Sequence, residues 1–429
     1  MDAMVVTGGC RLQGRVRAGG AKNAALPIMA ASLLADGPMC LKNVPDLADI
    51  RTMMRLLAKL GVEAERRPNG DLVLESRNAR RNLAPYDIMR TMRAGICVLG
   101  PLLARRGRAE VSLPGGCAIG DRPVDLHLKG LRALGARLDI RHGYILGSAP
   151  GGGRAAKRLR GAEMYLGGPF GSSVTGTANV LMAAVLAKGQ TVIECAACEP
   201  EVQDLAHVLV KMGAKIHGIG SPCLVVEGVD RLVGVQHAVI PDRIEAGTLL
   251  VAGAATGGDV TVEGARWNDL FALVHVLRDA GARIDHFDDT IRIRARRRLK
   301  SVDVTTLPFP GFPTDLQAQM MALLAVADGI SVITEKIFPD RFMHVAELNR
   351  MGARIRKEGN TAVVHGTRRL SGAPVMAGDL RASAALVIAG LIAEGKTTIS
   401  RIYHLDRGYE RIERKLVGLG AKVRRIKGS

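Results

Sequence analysis

One short pattern of apolar and polar positions recurs along the chain. An amphipathic stretch with helical spacing ends at a glycine, and an apolar residue and a charged residue follow, as in Lys211-Met-Gly-Ala-Lys215. The six glycines of this pattern are Gly61, Gly135, Gly213, Gly281, Gly352 and Gly420. Apolar residues every three or four positions predict a helix, alternation predicts a strand, and glycine is a common helix stop. The pattern therefore predicts six helices that end at a glycine, each followed by a strand.

The spacing of these glycines predicts a repeat. They lie 68 to 78 residues apart, so the chain divides into six units of about seventy residues. In each unit an alanine-rich helix, such as 24–34 or 178–186, precedes a strand such as 189–194. An amphipathic helix, such as 270–278, then precedes two further strands. Because such a unit cannot bury its faces alone, we predict an α/β fold with three repeats in each of two domains and a crossing near 229–236.

The junctions between the first strand and the first helix of each unit are rich in glycine, aspartate, lysine and arginine. They lie at 19–23, 87–93, 171–176, 241–245, 312–315 and 378–381. Unpaired amides at a helix N-terminus attract anions, and the basic side chains add to this. A positive pocket results if these ends face one cleft. The alternative is that Asp315 and Asp379 only cap helices, which is the more frequent role of aspartate there.

The composition gives the chain a strong positive charge. Sixty Lys and Arg against 41 Asp and Glu give +19, which suits nucleic acid, an acidic membrane surface or small polyanionic substrates. One Trp, five Tyr and seven Phe supply few platforms for stacking bases, so no nucleic-acid partner is expected. The chain has no signal-like start and no apolar run of the roughly 18 residues that a membrane span needs. We expect a cytoplasmic protein without membrane insertion.

The seven cysteines are odd in number and scattered, which is typical of reduced thiols. Cys195-Ala-Ala-Cys198 has the spacing of a metal or redox pair, but no second pair or histidine lies at ligand spacing. Residues 19–23 are not a P-loop, because no Ser or Thr follows the lysine. We therefore expect neither a metal nor a cofactor.

Cys117 lies in a different context from the other cysteines. Residues 113–127 contain three glycines and two prolines, so no regular element is expected there. A thiol in such a loop, five residues before Arg122, can be accessible and more readily ionised, as an acid or a nucleophile requires. The alternative is a buried cysteine that acts as a small apolar residue.

Several motifs together closely resemble the UDP-N-acetylglucosamine 1-carboxyvinyltransferases of the enolpyruvyl transferase family. They are Lys22-Asn23, the 113–127 loop, Phe312-Pro-Thr-Asp-Leu-Gln-Ala-Gln319, Arg341-Phe-Met-His-Val345, Asp379-Leu-Arg-Ala-Ser383 and Asp406-Arg-Gly-Tyr-Glu-Arg411. The resemblance implies two inside-out α/β barrel domains of three repeats each. It implies a domain of residues 22–229 with the Cys117 lid loop. A discontinuous domain of residues 1–21 and 230–429 would carry Asp315, Arg341, Arg381 and Arg407.

The resemblance also implies an activity, the first committed step of peptidoglycan synthesis. The enolpyruvyl group of phosphoenolpyruvate passes to the 3-hydroxyl of UDP-N-acetylglucosamine, and phosphate leaves from a tetrahedral intermediate. The implied catalytic residues are Cys117 as proton donor, Asp315 as base, Lys22 and Arg407. Phosphoenolpyruvate would contact Lys22, Asn23, Arg122, Arg341, Arg381 and Arg407. The nucleotide sugar would contact Arg93, Arg122, Pro123, Val124, Asp125, Leu126, Ser172, Ser173, Val174, Asp315 and the main chain near Ile337.

One stretch departs from the family pattern, and two other functions stay open. Residues 166–177 lack the acidic residue and the lysine that many relatives carry, which weakens the expected uridine-side contacts. A 5-enolpyruvylshikimate-3-phosphate synthase-like transferase shares the fold and the donor, although Cys117 and Phe312-Pro-Thr-Asp315 argue against it. A basic, non-catalytic nucleic-acid-binding protein on the same scaffold is the third possibility.

Overall fold

A computed structural model describes residues 2–78, 80–115, 124–150, 158–296 and 298–427. The α-helices in these ranges are α1 Lys22–Ala31, α2 Ala48–Lys59, α3 Tyr86–Met89, α4 Leu99–Arg106, α5 Asp125–Ala133, α6 Val174–Ala184, α7 Pro200–Lys211, α8 Arg243–Ala255, α9 Trp267–Asp279, α10 Gln317–Leu324, α11 His344–Arg350, α12 Leu380–Ile392 and α13 Ile412–Gly418. Short 3-10 helices cover Ser32–Leu34, Arg93–Val98, Thr314–Leu316 and Ile402–Arg407. No helix of the described ranges has the length and apolarity needed to cross a bilayer.

The strands are short and evenly distributed. They are β1 Ala3–Thr7, β2 Gln13–Arg17, β3 Ala35–Asp36, β4 Met39–Lys42, β5 Val62–Arg66, β6 Leu72–Ser76, β7 Leu83–Ala84, β8 Arg108–Ser112, β9 Arg137–Arg141, β10 Tyr144–Ser148, β11 Glu163–Tyr165, β12 Gly167–Gly168, β13 Gly171–Ser172 and β14 Gln190–Glu194. The remainder are β15 Lys215–His217, β16 Cys223–Glu227, β17 Leu232–Val233, β18 Gln236–Ala238, β19 Asp259–Glu263, β20 Arg283–Phe287, β21 Thr290–Arg294, β22 Val304–Thr305, β23 Ile330–Thr334, β24 Arg354–Glu358, β25 Thr361–His365, β26 Pro374–Met376, β27 Lys396–Ser400 and β28 Lys422–Ile426.

Six four-stranded sheets share one topology, which confirms the predicted six-unit repeat. In each sheet a parallel pair is followed by two antiparallel neighbours. The sheet orders are β7-β8-β10-β9, β11-β14-β16-β15, β18-β4-β6-β5, β26-β27-β1-β28, β2-β19-β21-β20 and β22-β23-β25-β24. Three of the sheets are formed within one stretch of the chain, whereas β1, β2 and β18 each join a sheet whose other strands lie far away in the sequence.

The chain folds as two compact units, each with three of these sheets. Among the described residues, the middle unit is formed by 20–78, 80–115, 124–150 and 158–240, and the flanking unit by 2–19, 241–296 and 298–427. The sequence places the crossings at 21/22 and 229/230, whereas the two units meet at 19/20 and 240/241. The later crossing has a physical reason, because β17 pairs with β3 and β18 pairs with β4, so both strands belong to the middle unit.

The alanine-rich helices lie at the centre of each unit. Every residue of α8 is buried, as are most residues of α12, and these helices pack with α10 in the flanking unit. Small residues allow close approach: a Cβ on Gly247 would lie 2.6 Å from Leu316 Cδ1. The outer helices, such as α2 and α9, bury only one face. A helix that is apolar on all sides is buried on all sides, as its sequence predicts.

All six repeat glycines occupy the left-handed region, with φ between 80° and 109°. They follow the ends of α2, α5, α7, α9, α11 and α13, which confirms the predicted helix stops. The helix predicted for 24–34 begins two residues earlier at Lys22, and its last three residues form a 3-10 turn. The helix predicted for 178–186 begins at Val174, because Ser173 caps it by accepting from the Gly176 amide.

Candidate active site

In the flanking unit an aspartate lies between two buried arginines. Asp315 lies in the 3-10 turn before α10, Arg341 follows β23, and Arg381 is the second residue of α12. Arg341 Nη1 lies 2.8 Å from Asp315 Oδ1, and Arg381 Nη2 lies 2.7 Å from Asp315 Oδ2. The arginine side chains are 6% and 2% exposed, whereas the aspartate side chain is 25% exposed. The carboxylate is therefore fixed from the protein side and accessible from the other.

The charges of this cluster determine the protonation state of Asp315. Desolvation of the carboxyl acts to raise its pKa, but the charges of Arg381 and Arg341 and their hydrogen bonds outweigh it and hold the pKa well below its usual range. Burial acts to lower the pKa of Arg381, and the Asp315 charge reverses this and raises it. Asp315 is thus a carboxylate and Arg381 a cation across the whole neutral range.

Both arginines also carry N–H groups that donate to no acceptor among the described residues. Arg341 Nε and Arg381 Nε are buried and make no hydrogen bond within the described residues. A buried donor without an acceptor is costly, so an anion that accepts from these groups would bind favourably. The guanidinium carbon of Arg381 lies 5.3 Å from the centroid of the Tyr409 ring, so the two side chains form a cation–π contact.

The N-terminus of α12 anchors Arg381. The carboxylate of Asp379 accepts from the main-chain amides of Arg381 and Ala382, at 2.7 and 3.0 Å. Asp379 is therefore a helix cap, as the more frequent role of aspartate predicts, whereas Asp315 pairs with arginines. Burial lowers the pKa of nearby His344 to about 4, so this imidazole is neutral at pH 7 and adds no charge to the cluster.

In the middle unit, Lys22 is the first residue of α1 and is buried. Its Nζ lies 3.1 Å from Asp49 Oδ2. The preceding Gly20 is required by a close approach, because a Cβ there would lie 1.6 Å from the Asn43 carbonyl oxygen. Ala21, at the N-cap, offers no side-chain acceptor, and Asn23 is exposed beside the lysine. A lysine ammonium and an uncapped helix start thus occur at the same place.

The residues expected on the nucleotide-sugar side form a second group in the middle unit. Asp125 and Leu126 begin α5, Val124 precedes them, and Ser173 caps α6, which begins at Val174. Leu126 approaches the 167–172 hairpin, since a Cβ on Gly168 would lie 3.2 Å from Leu126 Cδ1. Ser172 ends that hairpin. The structure thus brings the start of α5 and the start of α6 together.

Arg93 begins the 3-10 helix of the same unit and is half-buried. Burial and the Arg93 charge lower the pKa of His127 to about 3, so this buried histidine is neutral. His127 Nδ1 lies 3.0 Å from the Asn179 side-chain amide nitrogen. His127 is a packed polar residue of the helix core.

The profile of the family described as EPSP synthase (3-phosphoshikimate 1-carboxyvinyltransferase) matches residues 6–416. The chain belongs to this enolpyruvyl transferase family. The UDP-N-acetylglucosamine 1-carboxyvinyltransferase of Anaeromyxobacter sp. (strain Fw109-5) is 56% identical over 429 residues, all of both chains.

Two solved enolpyruvyl transferase structures confirm the predicted fold. The enolpyruvyl transferase NikO from Streptomyces tendae superposes with a TM-score of 0.87 at 24% identity, covering 100% of this chain and 99% of that chain. An EPSP synthase from Acinetobacter baumannii superposes with a TM-score of 0.75 at 18% identity, covering 100% of both chains.

Two of the five remaining predicted site residues, Arg407 and Ile337, lie within the described ranges. Arg407 ends the 3-10 helix Ile402–Arg407 and is half-buried; after burial, its charge is the main factor that lowers the pKa of His404. Cys117, Arg122 and Pro123 lie outside the described residues. Ile337 belongs to the flanking unit, where its amide donates to Glu335 Oε1 at 2.8 Å.

Sequence reasoning missed several residues that contact the predicted site residues. Asp49, the partner of Lys22, lies 27 positions away with no pattern that links the two. Tyr409 lies within a motif that the sequence singled out, but its packing against Arg381 has no sequence signal. Glu335 directly follows β23, and a polar residue after a buried strand was the available signal. In the ranges that the structure describes, no three His, Cys, Asp or Glu side chains are close enough to share a metal ion.

Proposed function

We propose that the protein transfers the enolpyruvyl group of phosphoenolpyruvate to the 3-hydroxyl of UDP-N-acetylglucosamine and releases phosphate. Full-length identity of 56% to a UDP-N-acetylglucosamine 1-carboxyvinyltransferase supports this acceptor. The observation that carries the proposal is the Asp315 carboxylate held between Arg341 and Arg381, with buried guanidinium donors still available. On this proposal the enzyme acts in the cytoplasm at the first committed step of peptidoglycan synthesis.

The donor substrate carries a phosphate and a carboxylate, so its site needs several cations. We assign Arg341 and Arg381 to these anionic groups, because each has a buried Nε that lacks a partner among the described residues. Lys22, Asn23, Arg122 and Arg407 complete the assignment by resemblance to the family. Guanidinium groups bind such oxyanions through paired hydrogen bonds, and fixed donors stabilise charge as it develops.

The reaction proceeds by addition and elimination. The 3-hydroxyl oxygen attacks C2 of phosphoenolpyruvate while the Cys117 thiol gives a proton to the C3 methylene, which forms a methyl group and a tetrahedral ketal. Loss of one methyl proton then re-forms the double bond as the C2–O bond to phosphate breaks. Exclusion of water at this stage prevents competing hydrolysis.

The depressed pKa of Asp315 defines what this residue contributes. A carboxylate stabilised by two arginines is a weak base, so it does not hold a proton in the resting site. It accepts a hydrogen bond from the 3-hydroxyl, orients the oxygen towards C2 and takes the proton as the C–O bond forms. The arginines that lower its pKa also ensure that it is never protonated beforehand.

We assign the nucleotide sugar to the group formed by the starts of α5 and α6 and to the main chain at Ile337. The residues assigned to the nucleotide sugar in this group are Arg93, Arg122, Pro123, Val124, Asp125, Leu126, Ser172, Ser173 and Val174. The Ser173 hydroxyl already accepts from the Gly176 amide at 3.1 Å, so it offers a donor hydrogen rather than an acceptor to the diphosphate. No lysine lies in 166–177, so the main-chain amides at the start of α6 take on more of the binding.

Phosphate release tests the proposal. The purified protein is mixed with phosphoenolpyruvate and either UDP-N-acetylglucosamine or shikimate 3-phosphate, and phosphate is measured with the product mass. We expect release and an enolpyruvyl adduct only with the nucleotide sugar. Release with shikimate 3-phosphate alone would identify the sister activity, and release with neither acceptor would contradict enzymatic transfer. Oligonucleotide binding at physiological salt without phosphate release would indicate the nucleic-acid alternative.

A further inference from the structure

The carboxylate of Glu335 is fully buried and accepts four hydrogen bonds. Oε1 accepts from the Thr306 hydroxyl at 2.6 Å, the Ile337 amide at 2.8 Å and the Phe338 amide at 3.0 Å. Oε2 accepts from the Thr314 hydroxyl at 2.8 Å. A buried carboxylate is tolerated only when its oxygens are satisfied, so all four donors are fixed relative to the end of β23.

One oxygen of Glu335 organises the loop at 336–338. In addition to the two amides on Oε1, the Lys336 amide donates to the Thr306 hydroxyl at 2.9 Å. Three successive amides therefore point inwards towards one carboxylate and one hydroxyl. This fixes the main chain that the proposed function assigns to the nucleotide sugar.

The other oxygen leads to the Asp315 cluster. Thr314 donates its hydroxyl hydrogen to Glu335, so its oxygen lone pairs face Arg341, and Arg341 Nη1 lies 3.0 Å away. The same nitrogen lies 2.8 Å from Asp315 Oδ1. A continuous chain of hydrogen bonds thus runs from the 336–338 main chain through Glu335 and Thr314 to the carboxylate.

We propose that Glu335 is a positioning residue that holds the nucleotide-sugar main chain and the Arg341–Asp315 pair in one fixed relation. The inference rests on the proposed function. A sugar bound to this main chain presents its 3-hydroxyl to a carboxylate whose orientation is set by the same buried group. Glu335 acts through Thr314 and Arg341 and touches no reacting atom.

Glu335→Gln tests the link with little change of shape. The amide oxygen must face the Ile337 and Phe338 amides, because a donor there would oppose two donors. The amide NH₂ then faces Thr314 and reverses the hydrogen bond to it. Thr314→Val breaks the same link from the other side, and Thr314→Ser restores it. Thr397→Val is the control, because Thr397 is a fully buried threonine of the same unit whose hydroxyl has no partner within the described residues.

We expect Glu335→Gln and Thr314→Val each to lower kcat about tenfold, with the KM for UDP-N-acetylglucosamine within about threefold of wild type. Thr314→Ser should recover most of kcat. Because both substitutions act on the same hydrogen bond, the double variant should also lose about tenfold rather than about a hundredfold. Thr306→Val removes hydrogen bonds only on the side of the 336–338 main chain. It should raise the KM for UDP-N-acetylglucosamine about fivefold and leave kcat within about twofold.

Two results would overturn the inference. One is a kcat of Thr314→Val equal to that of Thr397→Val, and the other is a double variant whose losses multiply. If Glu335→Gln does not fold, the Thr314→Val and Thr314→Ser pair still decides. A wild-type protein that releases no phosphate refutes the proposed function, whereas an active wild type with control-like variants refutes only the role of Glu335.

Discussion

Arg381 Nη2 lies 2.7 Å from Asp315 Oδ2, although 66 positions separate the two residues in the chain. The contact joins the start of α12 to the turn before α10, and both helices begin at a strand-to-helix junction of the repeat. Repeated junctions can bring opposite charges together in this way because each repeat presents its helix start at an equivalent place.

Arg381→Gln should give the reaction a new dependence on pH. In the wild type the pKa of Asp315 is depressed, so the carboxylate stays ionised as pH falls to well below neutrality. Removing the largest opposing charge lets desolvation raise the pKa, and activity is then lost as pH falls through that raised value. kcat/KM measured from about pH 5 to 9 should show an acid limb only in the variant.

Arg292→Gln is the matched control for this measurement. Arg292 also pairs with an aspartate, Asp259 at 2.7 Å, but at the surface of the same unit. Its pH profile should match that of the wild type. Identical profiles for Arg381→Gln and Arg292→Gln would contradict the assignment of Asp315.

Cys117 should react with an epoxide phosphonate such as fosfomycin, and Cys97 should not. Burial raises the pKa of the Cys97 thiol to about 12, so it has almost no thiolate at neutral pH. Intact mass and peptide mapping after incubation with the nucleotide sugar should locate a single adduct on 113–127. An adduct that persists in Cys117→Ala would show that another residue reacts.

The thiol itself should be replaceable by another acid. If Cys117 donates a proton and forms no obligatory covalent bond, Cys117→Asp retains turnover and Cys117→Ala loses it by at least about a hundredfold. Steady-state phosphate release measures both. Equal rates for the two variants would exclude proton donation by this residue.

Lys22→Gln should impair both binding and stability. The variant loses an ammonium group assigned to phosphoenolpyruvate, so kcat/KM for this substrate should fall about a hundredfold. It also removes a buried cation 3.1 Å from Asp49, which should lower the free energy of unfolding by up to about 3 kcal/mol in urea denaturation. Lys215→Gln is the control: its pair with Glu227 is exposed and should contribute less than about 1 kcal/mol. Similar losses for both lysine variants would argue against a special role for Lys22.

Two glycines at the end of α13 should respond to alanine in opposite ways. Gly420 has φ 93° and its amide donates to the Val417 carbonyl, so Gly420→Ala should lower stability by about 1 kcal/mol. Gly418 is the last helical residue with open space around it, so Gly418→Ala should raise stability by about 0.5 kcal/mol. Thermal unfolding compares them, and shifts of the same sign would contradict the helix-end geometry.

The repeat was predictable from sequence because glycine positions and hydrophobic periodicity are local properties. Gly281 ends a helix whatever else surrounds it, and the six sheets follow from six such stops. The later crossing between the units was not predictable in detail, because β17 and β18 are only two and three residues long and pair with strands nearly 200 positions away. Such short strands carry almost no periodic signal.

The candidate site divides in the same way. Asp315, Arg341 and Arg381 stand out in motifs, and the contacts among them explain why these residue types occur together. Glu335 and Asp49 did not stand out, because a buried acid is recognised by its donors and these come from distant positions. The fold and the charged residues of the candidate site can thus be predicted from the sequence. The buried groups that orient these residues can be identified only from the three-dimensional structure.

The placement of β1 has a consequence for biosynthesis. This strand lies in the middle of its sheet, between β27 and β28, so its neighbours are made roughly 390 to 420 residues later. All strands of the middle unit, by contrast, fall within 35–238. On the ribosome the middle unit can therefore complete its sheets first, while the apolar strand β1 stays without its sheet partners until residues 396–426 have been made.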